Sequence, residues 1–449
     1  MKKILLTVVC LCIALPAVPS FAIDSDVSGF LRARFMMNNY QKSQTDRDPD
    51  TLVDQRARVK WSAKVDEYLT FVYYGEVDFI YGDQAYATSR NKGGGASADS
   101  VNLETKNLYV EAKIPETPVT ATIGLQGYTD HNDFVLLLGD VAGVRIGAAT
   151  DQVRGNIAWF KLSEGVHNNE DDATLWALQV VYDPMKELSL VGDLYYANMQ
   201  GSTPSGAAFD TTKEDLYFAT VRATYKMDMA TIEGWLLYTG GTIDDAAPDG
   251  SDVDVSGFAG AANANFSVAG AKATIYTMFF SSDDDDTNKD KDSIEIPWAT
   301  NAPVGMSVPF PKAGMMMMMA DPFGTTIHTG YGHAMADAAY NDYGLWAITA
   351  KVAYSPPEMK NLYGSLAAGY FTALEDQIQG RDSVKKGGKD LGVETVARVG
   401  YKFGKLDLSL NAGYVFLGSF YDKTAVDSNG AVKDPDDLYE VYAMANVNF

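Results

Sequence analysis

Basic side chains recur at every second position in two neighbouring stretches of this sequence: Arg32 and Arg34, then Arg56, Arg58 and Lys60. In an extended strand that spacing puts them on one face. Five cations on adjacent strands are too costly to leave unpaired in a dry core, so their shared face must meet water or carboxylates. The chemistry open to such a wall is electrostatic guidance of solutes. Arg222 with Lys226, and Arg398 with Lys402, repeat the pattern farther along. The structural alternative pairs these cations with Glu76, Asp78, Glu111 and Glu394, and both readings can hold together.

Other chemistries have less to work with. The chain has 2 cysteines, Cys10 and Cys12, near its start, and 4 histidines, His131, His167, His328 and His333, all in predicted loops. A Ser–His pair on adjacent strands is therefore not expected, nor is an enzyme. Asp284, Asp286, Asn288, Asp290 and Asp292 place oxygens at alternate positions, as Ca²⁺ loops do. Lys289 stands where an EF-hand needs Gly, and no bidentate Glu follows, so a solvated acidic turn competes with a Ca²⁺ site. Met315–Met319 offers soft thioethers to Cu(I), or adaptable packing where the loop folds into a mouth or against another subunit. No cofactor beyond that Ca²⁺ is expected.

The elements that must position these residues are strands. In 449 residues, 46% are hydrophobic and 12% aromatic, which describes an ordered chain. A formal charge of −23 excludes a nucleic-acid partner. Lys2 and Lys3, the apolar run Ile4–Ala14 and Ser20-Phe21-Ala22 predict a secretory signal cleaved after Ala22, leaving one domain over 23–449. No later stretch approaches the ~20 apolar residues of a membrane helix. Instead, period-two alternation recurs, as in Leu31–Phe35, Arg56–Trp61 and Asn107–Ile114. It predicts 16 to 18 strands, 18 being favoured, between 27–40 and 438–449. The open point is whether 119–150 makes two strands or one excursion. Connections alternate between tight turns, such as Asp66-Glu67-Tyr68 and Gly404, and long polar loops, such as Gly82–Val101 and Ser282–Asp342. That is the pattern of a transmembrane antiparallel up-and-down β-barrel with short periplasmic turns and long external loops. Tyr40, Tyr81, Tyr128, Tyr238, Tyr354, Tyr401 and Phe403 are candidates for its interfacial girdles.

The chain ends Tyr439-Glu440-Val441-Tyr442-Ala443-Met444-Ala445-Asn446-Val447-Asn448-Phe449, alternating and closing on an aromatic. With Ala22-Ile23-Asp24 and Gly29-Phe30-Leu31-Arg32-Ala33-Arg34, it resembles the Gram-negative outer-membrane porins of the homotrimeric general type. The resemblance implies insertion in the outer membrane among lipid and lipopolysaccharide, Phe449 as signal for the barrel-assembly machinery, and a third external loop folded into the pore. Here that loop is Asp130–Asp140, where Asp130, Asp133 and Asp140 would face the basic row across the narrowest point. It is shorter than in many general porins, so 282–342 competes with it for the constriction. A short strand or packed surface loop is the alternative for 130–140.

A barrel of ~16–18 strands is too wide for side chains to fill, so an aqueous channel is expected. The leading expectation is a porin for passive diffusion of ions and small hydrophilic solutes. The alternatives are a substrate-specific, anion-binding channel and an adhesin on a barrel scaffold. Small residues over Gly257–Phe266, and over Gly364–Gly369, suggest the contact of a homotrimer.

Overall fold

A computed structural model describes residues 24–39, 49–83, 93–96, 101, 103–164, 172–200, 213–247, 250–283, 289–297, 312–319, 338–339, 342–376, 388–423, 425–426 and 430–449. The alternating segments form β1 (Asp24–Asn38), β2 (Asp50–Lys64), β3 (Leu69–Ile80), β4 (Glu104–Lys113), β5 (Val119–Thr129), β6 (Leu138–Ala149), β7 (Val153–Ser163), β8 (Ala173–Met185) and β9 (Leu188–Gln200). They continue as β10 (Lys213–Lys226), β11 (Ala230–Ile243), β12 (Val253–Val268), β13 (Ala271–Phe280), β14 (Leu345–Tyr354), β15 (Leu362–Thr372), β16 (Asp390–Phe403), β17 (Leu406–Leu417) and β18 (Leu438–Asn448). Each strand pairs antiparallel with the next, and β18 returns to β1. The result is a closed barrel of 18 strands. The stretch 119–150 gives two of them, β5 and β6.

Closure is physical necessity in a bilayer, where hydrocarbon cannot satisfy an unpaired N–H or C=O. The last residue takes part: Gly29 N–H donates to the Phe449 carbonyl at 2.9 Å, and Phe449 N–H donates to Gly29 at 3.0 Å. Turns at the rim that holds β1's start and β18's end are short. Asp66 accepts the N–H groups of Tyr68 and Leu69 at 2.8 Å each, fixing the β2–β3 turn. Ala269 and Gly270, at φ of 49° and 84°, make the mirror-image two-residue turn that matches strand twist between β12 and β13.

Facing is settled along β1: Leu31 and Phe35 are 42% and 57% exposed, whereas Arg32, Arg34 and Met36 are buried. The apolar side of the wall therefore looks out to lipid and the charged side looks in. Aromatic clusters mark both rims. Tyr217, Tyr238 and Phe258 lie 6.1 and 5.0 Å apart in succession near the long-loop side, and Tyr401 and Phe403 lie 4.5 Å apart near the short turns. Tyr81 and Tyr354 are likewise exposed, and Tyr40 lies outside the described residues. Tyr128 departs from the girdle expectation. It points inward, buried against Phe160 at 4.7 Å, with its hydroxyl donating to Asn156 at 2.9 Å.

The interior also departs from a simple water-filled cylinder. Phe160, Leu175, Phe218, Leu237 and Tyr276 project inward yet are almost wholly buried. They share one apolar cluster with Val135, Leu136, Leu137 and Met315–Met319, which come from two connections folded into the lumen. Both connections are ones the sequence offered for the constriction, 130–140 and 282–342, and Met315–Met319 take the packing role rather than facing open water.

Candidate functional site

The basic row is built by strand register. Arg34 on β1 stands opposite Asp54 on β2, and Arg56 and Arg58 on β2 stand opposite Asp78 and Glu76 on β3. Each arginine meets the carboxylate facing it. Arg34 Nε donates to Asp54 Oδ1 at 3.0 Å while Nη2 meets Oδ2, a fork-to-fork contact. Arg56 donates from Nε and Nη2 to Asp78 at 3.0 and 2.5 Å, and Arg58 pairs with Glu76. The Arg32 and Arg58 guanidinium groups lie 5.7 and 5.9 Å from the Phe30 ring. Lys60 continues the face, half-buried. Lys402 is exposed near the short turns, with Nζ 5.7 Å from the Tyr363 ring.

Arg398 on β16 is half-buried and stands opposite Ser365 on β15, while Lys351 on β14 stands opposite Ala367, so the two cations flank the same stretch of β15. Sequence reasoning missed Lys351. The signal was present, since Lys351 has the same strand parity as the inward Leu345, Ala347 and Thr349.

The connection 130–137 between β5 and β6 turns into the barrel. It is organised by Asp130, whose carboxylate accepts N–H groups of Asn132, Phe134, Leu136 and Leu137 at 2.6, 3.0, 2.6 and 2.8 Å. Burial pushes this carboxyl up to about 6, against the pull of those four donors. Asp133 and Phe134 follow with φ of 56° and 68°, a left-handed pair that swings the Asp133 side chain across the lumen. There Oδ1 accepts from Arg222 Nη1 at 3.1 Å and Lys312 Nζ at 2.9 Å, and Oδ2 accepts from Trp235 Nε1 at 2.9 Å and Tyr276 Oη at 3.3 Å. Burial opposes ionisation of Asp133, but Lys312 and Arg222 outweigh it and hold the carboxyl below its ordinary range. His131 Nδ1 lies 2.9 Å from Asp193, and its carbonyl accepts from Arg222 at 2.6 Å.

The three acidic residues grouped by sequence therefore stand in three places. Asp130 is turned into its own loop and Asp133 crosses to β10, β11 and β13. Asp140 belongs to β6, where it meets Lys106 at 2.6 Å and Asn107 at 2.8 Å.

The second inward piece, residues 312–319, comes from the long connection between β13 and β14. Lys312 Nζ meets Asp133 Oδ1 and also Glu233 Oε1, at 2.8 Å; Glu233 in turn pairs with Arg222. Asp133, Arg222, Glu233 and Lys312 thus close a ring of alternating charge joining both inward pieces to β10 and β11. At the other end, Met316 and Met317 N–H donate to Glu394 Oε1 at 2.7 and 2.9 Å, and Met318 N–H donates to Oε2 at 2.9 Å. Small wall residues make room: a Cβ on Gly413 would stand 3.0 Å from Met317 Cε, and one on Gly369 would stand 3.0 Å from Met315 Sδ. All five methionines are at most 1% exposed. At about 1.5–3 kcal/mol for each buried side chain, their packing outweighs any single polar contact holding the segment.

Of the Ca²⁺ candidates, Asp284, Asp286 and Asn288 lie outside the described residues, as do His167, His328 and His333. Among the described residues no group of three or more His, Cys, Asp or Glu is placed to hold a metal ion.

Solved structures share this architecture over nearly its whole length. Pseudomonas aeruginosa OccK5 (OpdH) superposes with a TM-score of 0.56 at 11% identity, covering 95% of this chain and 98% of that one. The fold is that of an outer-membrane channel. The P. aeruginosa outer membrane protein opdK gives a TM-score of 0.54 at 10% identity over 95% and 98% of the two chains, and Acinetobacter baumannii OccAB1 gives 0.55 at 11% over 96% and 98%. No protein-family model matches the sequence, and no curated protein does. What the chain shares with these proteins is the fold of an outer-membrane β-barrel. Its structural neighbours are Occ/Opd channels and do not point to the homotrimeric general type in particular.

Proposed function

We propose that this channel is selective, admitting small anionic solutes past a constriction made by residues 130–137 and 312–319. The observation that carries this reading is that two cations, Lys351 on β14 and Arg398 on β16, flank the same stretch of β15 on the inner wall, while the carboxylates around the lumen are each already met by donors. Asp54, Glu76, Asp78, Asp133 and Glu233 are each covered by an arginine or lysine, and Glu394 by three backbone N–H groups. Lys351 and Arg398 lie across β15 from one another, opposite Ala367 and Ser365, as like charges. In a narrow, low-dielectric passage such a patch raises local anion concentration. The names of the structural neighbours agree with a channel role, and the filled lumen favours a selective passage over a wide diffusion pore.

Blockade of chloride current by succinate in planar bilayers tests the reading. Saturable block that disappears when Lys351 and Arg398 are both changed to Ala is expected; block that never saturates, or that survives the double change, removes it. Two further expectations belong with this proposal. Phe449 serves as the assembly signal, with its backbone sealing the β1 edge. A homotrimer would use the outward strip Gly260, Ala262 and Ala264 on β12, where crosslinking in native membranes gives trimers if the contact forms.

A further inference from the structure

Glu394 is a wholly buried carboxylate on the lumen face of β16, and its three amide donors come from a segment far away in sequence. A row of successive N–H groups closing on one carboxylate fixes backbone position and orientation together, because both oxygens are used. The same short segment begins with Lys312, whose ammonium bridges Asp133 and Glu233. Between them Gly314, at φ 78°, bends the chain over Lys351: a Cβ there would stand 2.8 Å from the Lys351 Cδ. The segment is therefore pinned at both ends, by a carboxylate on one wall and by a cation reaching the other. The ring of Asp133, Arg222, Glu233 and Lys312 balances to zero only while Lys312 is held there. Without it, two carboxylates face one arginine.

We propose that Glu394 is a positioning residue for selectivity: by holding the Met316–Met318 backbone to β16, it places the Lys312 ammonium in the constriction, and Lys312 sets which ions pass. The packed methionines make the segment a fixed wedge, so Glu394 acts through where Lys312 sits and not through opening and closing. This goes beyond the anion reading, since it concerns the change when Lys312 is displaced, whatever the sign of the unmodified channel's selectivity.

A double-mutant cycle on the full-length protein in planar bilayers under a KCl gradient tests it. Lys312→Gln alone is expected to shift the reversal potential toward cation preference, by removing one positive charge from the ring. Glu394→Ala alone is expected to give a similar shift without touching the ring, and the combination to add nothing further, the signature of two residues acting as one unit. Glu394→Gln, which keeps the shape and one acceptor oxygen, is expected to fall between wild type and Ala. Should Glu394→Ala fail to fold, the same cycle run with Glu394→Gln carries the test. A Met317→Cys probe is expected to stay protected from lumen-applied thiol reagent in the otherwise wild-type channel and to become labelled in the Glu394→Ala background. Additive shifts from Lys312 and Glu394, or an unchanged reversal potential in the Glu394 variants, would overturn the assignment. So would rapid labelling of Met317→Cys with Glu394 intact.

Discussion

Replacing Asp133 with Asn isolates the charge at the centre of the constriction proposed above. Asparagine tolerates the left-handed backbone that this position adopts, at φ 56°, so the turn itself is preserved. What changes is the acceptor set. In the native chain both carboxylate oxygens are used, Oδ1 by Arg222 and Lys312 and Oδ2 by Trp235 and Tyr276. An amide has one acceptor oxygen, so on one edge its NH₂ must confront two donors. If the Arg222 and Lys312 edge is lost, two charge-assisted bonds disappear, at about 1.5–3 kcal/mol each. If the other edge is lost, the buried Trp235 and Tyr276 donors are orphaned at about 1–3 kcal/mol each. Either way the hold on the 130–137 connection weakens by roughly 2–6 kcal/mol, several-fold more than thermal energy. The ring is also left with two cations against Glu233. Single-channel recording is expected to show a reversal potential moved toward anion preference, with larger and noisier conductance steps. Unchanged selectivity and unitary conductance would refute the placement of Asp133 at the narrowest point.

Asp130 should give a pH signature, because its folded carboxyl is raised from 3.8 to about 6. The folded chain then holds that proton more tightly than the unfolded chain. Its contribution to stability grows as pH falls through 6 and is complete below about 4, amounting to about 3 kcal/mol. Detergent-solubilised protein should show this component in its thermal midpoint, and Asp130→Asn should remove it; an identical pH profile in the variant would contradict the assignment. Arg56→Ala leaves Asp78 and Glu76 buried with one guanidinium fewer, and about 3–5 kcal/mol of folding stability should be lost in urea titrations with lipid vesicles. Leu366, 68% exposed at the middle of β15, faces lipid, so Leu366→Arg should cost about 2–4 kcal/mol in the same titration. A neutral Leu366→Arg would mean that this face meets water.

Much of the barrel was legible because alternation is a local property. Leu31, Phe35, Val59 and Trp61 declare the lipid face within a few residues of the arginines that declare the other. Turn chemistry at Asp66 and Ala269-Gly270, and the contrast between short and long connections, set strand parity without any long-range information. The inward direction of Arg32, Arg34, Arg56 and Arg58 followed from parity too. Glu76 and Asp78 were among the partners the sequence offered, but matching each to its arginine, and finding Asp54 for Arg34, requires the strand register. Harder still were contacts that join distant parts of the chain. Nothing near Asp133 announces that Trp235, Tyr276 and Lys312 converge on it, and nothing near Met316 points to Glu394. Tyr128 shows the same limit: a tyrosine near a strand end suits a girdle by position, and only the loop folded beneath it turns it into core.

The proposed anion preference requires a positive net field in the passage of a chain that is acidic as a whole. The reversal potential of the unmodified protein, reconstituted in a planar bilayer across a tenfold KCl gradient at neutral pH, tests that most directly. Discrete conductance steps reversing on the chloride side are the predicted result. A reversal on the potassium side, or insertion without discrete steps, would contradict the account.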